Sequence, residues 1–130
     1  MSSRYLLDAS AILALIGGEP GAERVRPLLP RASITGVNLA EVVKKLRERG
    51  VPLQVVEEVV SDLQIPVESG PADFRQAIQV GEIAALGRAF GLSMGDAVCL
   101  AVAGWSGRTV VTAERRWKDA LPEADILTIR

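Results

Sequence analysis

Short apolar runs alternate along the chain with longer segments whose apolar residues recur at helical spacing. Such runs are typical of buried strands in a parallel sheet, and such segments are typical of helices that cover its faces. The predicted strands are residues 5–7, 32–35, 65–67, 108–112 and 125–129. Strands that alternate with helices indicate the α/β class, with three α/β/α layers around a central, mostly parallel sheet.

Residues that start and stop helices divide the segments between these strands. The predicted helices cover residues 11–16, 20–30, 38–49, 52–63, 71–86, 95–103 and 114–121. Ser10 and Asn38 are predicted to cap the first and third of them. Within 71–86, the spacing predicts an inward face of Phe74, Ala77, Ile78 and Ile83. The valines of 52–63 form so wide an apolar face that we expect part of it to meet a partner.

Length and composition bound the kind of protein. The chain has 130 residues and 48% hydrophobic residues, which predicts a single domain spanning 1–130 with one core. A membrane span requires about 20 apolar residues, and the longest candidate run, residues 9–16, is far shorter. The single cysteine, Cys99, excludes an internal disulfide and favours a reducing, cytoplasmic location.

Four acidic residues stand where one predicted element gives way to the next. Asp8 and Glu114 follow predicted strands, Glu41 lies in the first turn of a helix, and Asp96 opens another. The carboxyl ends of parallel strands meet at one edge of a sheet, and binding sites form there. Acids that are far apart in sequence are therefore expected to meet in one cleft.

The absence of histidine narrows the chemistry available to such a cleft. Without histidine and with one cysteine, the chain lacks the parts of a Ser-His-Asp triad, of a histidine relay and of a zinc site. Carboxylates gathered in one place repel each other and need a cation between them. Mg²⁺ and Mn²⁺ take oxygen ligands, so the pattern predicts a site for one of these ions.

Each acid also has a structural explanation. Asn38-x-x-Glu41 and Ser93-x-x-Asp96 both have the spacing of a capping box, in which the acid closes its own helix. Glu114 suits the first turn of a helix for dipole reasons. Asp8 is harder to explain in this way, because an acid between Leu7 and Ala9 is expected to be buried and to need a partner.

The motifs around these acids resemble those of PIN-domain ribonucleases, and most closely VapC-type toxins of type II toxin–antitoxin pairs. The resemblance covers essentially the whole chain. It rests on Leu7-Asp8-Ala9-Ser10-Ala11, Asn38-Leu39-Ala40-Glu41-Val42, Gly91-Leu92-Ser93-Met94-Gly95-Asp96-Ala97 with Cys99-Leu100-Ala101, and Thr112-Ala113-Glu114. The last motif departs from the family, which usually has Thr-Ala-Asp there.

The resemblance implies a PIN-like fold and a Mg²⁺- or Mn²⁺-dependent endoribonuclease that hydrolyses RNA. It places Asp8, Glu41, Asp96 and Glu114 at the metal site. Ser10, Asn38 and Thr112 match the small polar positions that support those acids. It further implies a homodimer that is neutralised by a cognate antitoxin. Glu114 is one methylene longer than the usual acid, which leaves open whether it contacts metal directly or through water.

Other functions compete with this interpretation. The altered Glu114 keeps open a catalytically impaired PIN-like module that serves as a binding or scaffold subunit. A haloacid-dehalogenase-type phosphatase would need a second Asp where Ser10 stands. The basic groups Lys44, Lys45, Arg47, Arg49 and Arg115, Arg116, Lys118 are either solvated helix faces or a rim that contacts phosphates. The net charge of −1 argues against binding nucleic acid by bulk charge.

Overall fold

The computed structural model describes residues 3–130, and its strands form one five-stranded sheet. The strands are β1 (Tyr5–Leu7), β2 (Ala32–Thr35), β3 (Val67–Glu68), β4 (Thr109–Thr112) and β5 (Ile126–Thr128). They lie in the order β3-β2-β1-β4-β5, and every neighbouring pair is parallel. The predicted α/β class is confirmed, and the sheet is parallel throughout.

Seven α-helices occur among the described residues: α1 (Ala9–Gly17), α2 (Ala22–Val25), α3 (Gly36–Glu48), α4 (Leu53–Leu63), α5 (Phe74–Leu86), α6 (Met94–Ser106) and α7 (Trp117–Ala120). Residues Arg26–Arg31 and Arg88–Phe90 form 3₁₀ helices. The segment predicted as one helix at 20–30 is therefore divided, because Pro27 and Pro30 cannot donate helical hydrogen bonds. No helix in residues 3–130 is long and apolar enough to cross a membrane.

The first and third helices begin earlier than the sequence pattern predicts. Asp8 is the N-cap of α1, and its side chain accepts a hydrogen bond from the Ala11 N–H. Thr35 caps α3 in the same way by accepting from the Asn38 N–H. The predicted caps Ser10 and Asn38 are thus wrong. The capping oxygen comes from the residue directly after β1 in one case and from the last residue of β2 in the other, so the side chains of Ser10 and Asn38 are available for other contacts.

Two hydrophobic cores lie on opposite faces of the sheet. Leu7, Ile34 and Val111 pack beneath α1 to α4, whereas Leu6 and Val110 pack beneath α5 to α7. Neighbouring residues of a strand point to opposite faces, so a continuous apolar run fills both cores. This arrangement confirms the predicted three layers.

The inward face predicted for α5 is confirmed at Ile83 and is wrong at the other three positions. Phe74 and Ile78 have 83% and 57% of their surface exposed, and Ala77 is also exposed. Val80 is buried, and Ile83 packs beside it against the core under α6. Helix α5 packs chiefly on α6 rather than on the sheet. Because only the residues that face α6 are buried, the buried stripe of α5 is narrower than its apolar spacing predicts. The result is an apolar surface open to solvent.

A charged pair ties the short edge strand β3 to the start of β4. The Arg108 guanidinium donates to both carboxylate oxygens of Glu68, across the two intervening strands. The hydroxyl of Ser33, which is fully buried, also donates to the Glu68 carboxylate at 2.5 Å. The hydrogen bonds from Arg108 lower the pKa of Glu68. Such a network stabilises an edge strand of only two residues.

Candidate active site

A cleft of about 420 Å³ lies at the carboxyl edge of the sheet. All four acids predicted to form the site line it: Asp8, Glu41, Asp96 and Glu114. Strand β1 lies at the centre of this edge, with β2 on one side and β4 on the other. The chain builds outward from β1 in one direction first and then in the other, so a crevice opens where the strand order reverses.

Asp8 is the most deeply placed of the four acids. Only 2% of its surface is exposed, and both carboxylate oxygens accept hydrogen bonds. Oδ1 accepts from the Ala11 N–H at 2.9 Å, and Oδ2 accepts from the Thr112 hydroxyl at 2.6 Å. The Ser10 hydroxyl lies 2.8 and 2.9 Å from the two oxygens. Strand β1, helix α1 and the end of β4 therefore fix the orientation of this carboxylate together.

Burial controls the protonation of Asp8. Desolvation raises the pKa of its carboxyl to about 7, and the hydrogen bonds from Thr112, Ala11 and Ser10 only partly oppose this rise. The nearby charge of Asp96 raises the pKa further. At neutral pH the carboxyl is thus protonated in part of the molecules and ionised in the rest. A bound divalent ion would have to displace that proton.

Glu41 does not close its own helix. Helix α3 begins at Gly36, so Glu41 lies beyond the first turn, and the capping box predicted for Asn38 and Glu41 does not form. The Asn38 side-chain N–H₂ instead donates to Glu41 Oε1 at 2.8 Å and to the Gly95 carbonyl at 3.2 Å. Both neighbours are acceptors, which fixes the orientation of the amide. Asn38 therefore positions Glu41 and joins α3 to α6.

Asp96 does close its own helix, and it lines the cleft as well. Its Oδ2 accepts from the Ser93 N–H at 2.8 Å, and the Ser93 hydroxyl accepts from the Asp96 N–H at 3.2 Å. The predicted capping box is thus present in α6. Desolvation raises the pKa of Asp96, with further contributions from the charges of Glu41 and Glu114. Asp96 therefore lies within electrostatic reach of both glutamates.

Glu114 is the most exposed of the four. Its backbone N–H donates to the Thr112 hydroxyl at 3.0 Å, and the Ala113 N–H donates to the Ser10 hydroxyl at 2.9 Å. The same two hydroxyls that hold Asp8 therefore also hold the turn that carries Glu114. The helix predicted at 114–121 is shortened to α7, which begins only at Trp117. Glu114 thus lies in a turn, so the explanation by a helix first turn is wrong.

Gly95 allows α6 to approach α3 closely. A Cβ atom at this position would lie 2.0 Å from Glu41 Oε1 and 2.7 Å from its carboxyl carbon, far inside van der Waals contact. Any larger residue would displace the Glu41 carboxylate or the start of α6. Gly95 stands within a candidate motif of the sequence, but the motif alone does not predict this role. The sequence signal for this close helix contact is a glycine directly before the candidate acid Asp96.

The carboxylate oxygens of the cleft are suitable ligands for a hard cation. In this conformation, however, they are not arranged around a single ion position. Among the described residues, no three acidic, cysteine or histidine side chains stand close enough to hold one ion. Like charges repel, and the carboxylates of Asp8, Glu41 and Asp96 turn instead toward the donors of Ser10, Asn38 and Ser93. Asn38 Oδ1 is buried without a donor among residues 3–130, which adds a further oxygen. The oxygen-only set fits Mg²⁺ or Mn²⁺, and side-chain rotation would have to complete the site.

Residues 5–120 of the chain match the PIN domain family. The chain belongs to that family. The match covers all four acids, so the family predicted from their motifs is confirmed. No curated protein matches the chain significantly in sequence. Within this PIN domain the acids occupy the carboxyl edge described above.

Solved structures with the same fold include several complexes. The DNA-bound VapBC from Salmonella typhimurium has a TM-score of 0.72 and 22% identity, with 98% of this chain and 99% of that chain covered. VapBC2 from Rickettsia felis, bound to a promoter DNA fragment, has a TM-score of 0.72 and 14% identity, with 98% of each chain covered. A toxin–antitoxin complex from Klebsiella pneumoniae has a TM-score of 0.66 and 18% identity, with coverage of 97% and 98%. At these identities the likeness shows the fold.

We predict that Gly95→Ala weakens binding of Mn²⁺, because the added methyl group displaces the Glu41 carboxylate. Gly104→Ala is the matched control, since it lies on the same helix and its Cβ would meet open space. The control should stabilise α6, because alanine is a better helix former than glycine by about 1 kcal/mol. Calorimetric titration with Mn²⁺ and thermal unfolding measure the two effects. Equal Mn²⁺ affinity in both variants would contradict the role given to Gly95.

We also predict that the metal-free protein loses stability as the pH rises from about 4 to 7. In this range the folded protein keeps a proton on Asp8, whose pKa is about 7, whereas the unfolded chain, with a pKa of 3.8, has released it. The folded state then binds more protons, so its stability falls with increasing pH. Asp8→Asn should flatten most of this decline.

The measurement is the unfolding temperature between pH 5 and 8 in the presence of chelator. Mn²⁺ should restore stability at pH 8 more than at pH 5, since the carboxylate is available only at the higher pH. A metal-free protein that is more stable at pH 8 than at pH 5, with Asp8→Asn showing the same trend, would contradict the prediction.

Proposed function

We propose that this PIN domain is a VapC-type toxin, an endoribonuclease that hydrolyses RNA phosphodiester bonds with Mg²⁺ or Mn²⁺. The single observation that carries the proposal is the convergence of four carboxylates, from four separate parts of the chain, on one cleft. Histidine is absent from the chain, so acid–base catalysis by imidazole is excluded. The resemblance of the motifs to VapC-type toxins and the VapBC fold neighbours support the biological role.

The acids have different parts in this proposal. Asp8 is held by Ser10, Thr112 and the start of α1, and it offers a rigid oxygen ligand at the centre of the cleft. Asp96 uses one oxygen in its helix cap, and its second oxygen is left for the cation or its hydration shell.

The two glutamates complete the set from opposite walls of the cleft. Asn38 holds one oxygen of Glu41 and leaves the other for a ligand. Glu114 has no side-chain hydrogen bond among the described residues, so it can turn toward either an ion or an attacking water. When bound, the cation would acidify water and stabilise charge on the phosphate and on the leaving oxygen.

A catalytically impaired binding or scaffold module is the alternative. Two observations favour it: Glu114 replaces the shorter acid that is usual in the family, and no three described acids are placed to share an ion. Such a module would keep the fold and the partners but would not cleave RNA. Metal-dependent cleavage therefore separates the two functions, and the cytoplasmic location stays a prediction in both cases.

We further propose two protein partners, a second copy of the chain and a cognate antitoxin. The valine face of α4 that first suggested a partner is mostly packed, since Val56 is buried and Val59 and Val60 are half-buried. Leu53 and Val55 remain exposed on α4, and a more exposed apolar pair, Phe74 and Ile78, lies on α5. Exposed aromatic and aliphatic side chains one helical turn apart are typical of a surface that packs on another protein.

We expect purified protein to cleave single-stranded RNA with Mg²⁺ or Mn²⁺ and to stop when chelator is added. Asp96→Asn keeps the size of the side chain and an oxygen for the Ser93 cap while removing a charged ligand. It should abolish cleavage and leave the circular dichroism spectrum and the unfolding temperature near those of the unmodified protein. Undiminished cleavage in chelator, or by this variant, would contradict the metal mechanism.

Alanine variants rank the acids in the same assay. Asp8→Ala and Asp96→Ala should lose more activity than Glu114→Ala, because Glu114 is exposed and unrestrained. Rates measured over a range of Mn²⁺ concentrations separate loss of affinity from loss of turnover. If Glu114→Ala is the most damaging of the three at saturating Mn²⁺, the ranking is wrong.

We predict that the protein is a dimer at micromolar concentration and that Phe74→Asp converts it to monomers. A charge at this position would be buried in the interface without a partner. Val55→Asp is the control, because Val55 is an exposed apolar residue on α4 rather than α5. Light scattering coupled to size exclusion gives the mass. A monomeric unmodified protein, or equal dissociation by both variants, would exclude this surface as the dimer interface.

A further inference from the structure

Three basic side chains border the acidic cleft, whereas their sequence neighbours do not. Lys45, Arg49 and Arg116 line the cleft together with the acids. The sequence offers seven basic residues in two groups, and the fold divides them into those that face the acids and those that point elsewhere. Positive charge is therefore placed beside the acids at three defined positions.

On one wall, the basic residues share a face of α3 with a catalytic candidate. Glu41 and Lys45 are four residues apart on α3, and Arg49, the C-cap of this helix, lies four residues further along the same row. Eight residues of helix extend the row by about 12 Å away from the acids. Arg49 lies 3.7 Å from Glu19 but remains half-exposed, so it keeps donors for a ligand.

On the other wall, Arg116 is held in place by aromatic and backbone contacts. Its guanidinium lies 6.0 Å from the centre of the Phe90 ring and donates to the Ala89 carbonyl at 2.9 Å. An arginine that is oriented in this way still has further N–H donors for a phosphate. Arg116 follows β4 and α3 follows β2, so the two basic walls flank Asp8, which follows β1 between them.

Three of the neighbouring basic residues have partners outside the cleft. Lys44 lies 3.8 Å from Glu48 one turn along α3, and Arg47 donates to the Val51 carbonyl at 3.1 Å. Arg115 donates to the Arg130 carbonyl at 2.7 Å. Each of these residues stands within two positions of a cleft residue and carries the same charge. They provide matched controls for any effect that depends on position rather than on total charge.

We propose that Lys45, Arg49 and Arg116 form a phosphate track that leads the backbone of a single RNA strand across the acids from α3 to the Phe90 wall. The inference rests on the proposed nuclease function and names how its substrate is held. The cleft has the volume of a small-ligand site, which favours one strand over a duplex. Local positive charge beside the acids also explains how a chain of net charge −1 holds a polyanion.

The test measures RNA binding at several salt concentrations in the cleavage-deficient Asp96→Asn background. The probe is a fluorescently labelled single-stranded RNA of about 10 nucleotides, which matches the usual range for single-strand sites. Each of Lys45→Ala, Arg49→Ala and Arg116→Ala should weaken binding roughly threefold to tenfold and lower the salt slope by about 0.7. The triple variant should lower the slope by about 2.

The controls Lys44→Ala, Arg47→Ala and Arg115→Ala remove the same charges from the same segments. They should leave the slope nearly unchanged, and the six variants should fold equally well because all these side chains are exposed. Equal effects in both sets would overturn the track in favour of bulk charge. No effect in either set would also overturn it.

Cleavage of the same RNA by the otherwise unmodified protein with Mn²⁺ separates this inference from the proposed function. Binding through the track without cleavage would refute the nuclease and support the track. If the protein cleaves RNA but the salt dependence of RNA binding is unchanged in the three variants, the track is refuted and the nuclease function is supported. Absence of RNA binding would overturn both.

Discussion

The burial of the Asp8 carboxylate at the centre of the sheet edge is the constraint on which the rest of the structure depends. An ionised carboxylate in a nearly closed environment is costly unless hydrogen bonds or a cation compensate it. Here the compensation comes from Ser10, Thr112 and the first turn of α1, which bind Asp8 from three directions. The same hydroxyls accept the N–H groups of the turn that carries Glu114. One buried carboxyl group thus organises the meeting of β1, α1 and β4.

The close approach of α3 and α6 brings in the remaining acids. Gly95 leaves room for the Glu41 carboxylate, and Asn38 bridges that carboxylate and the Gly95 carbonyl. Helix α6 is also the most buried helix of the structure, with Cys99 among its fully buried residues. Burial and the neighbouring acids raise the pKa of the Cys99 thiol, so it stays a neutral packing residue. The helix that carries Asp96 is therefore anchored by packing while its first turn serves the cleft.

Two kinds of surface lie outside the acids of the cleft: a basic rim beside them and an exposed apolar area on α5. Basic side chains that face the acids suit a polyanionic substrate, and the exposed apolar residues of α5 suit a protein partner. Phe74 and Ile78 lie on α5, which packs on α6 in the helical layer on the opposite side of the sheet from α3. The proposed substrate and the proposed dimer partner are thus assigned to separate surfaces, and the proposed dimer leaves the cleft uncovered.

The sequence by itself determined the element order, the parallel sheet and the four acids, because apolar runs and strand-end polar residues are local signals. It also identified Asp8 as an acid in need of a partner, since it stands between buried residues. Only the tertiary structure showed that Asp96 caps its helix while Glu41 does not, because the start of α3 is set by Thr35 at the end of β2. Apolar spacing misplaced the inward face of α5, since α6 rather than the sheet is its packing partner. The role of Gly95 and the separation of Lys45 from Lys44 likewise depend on which helices meet, and helix-to-helix distances are not encoded in any local pattern.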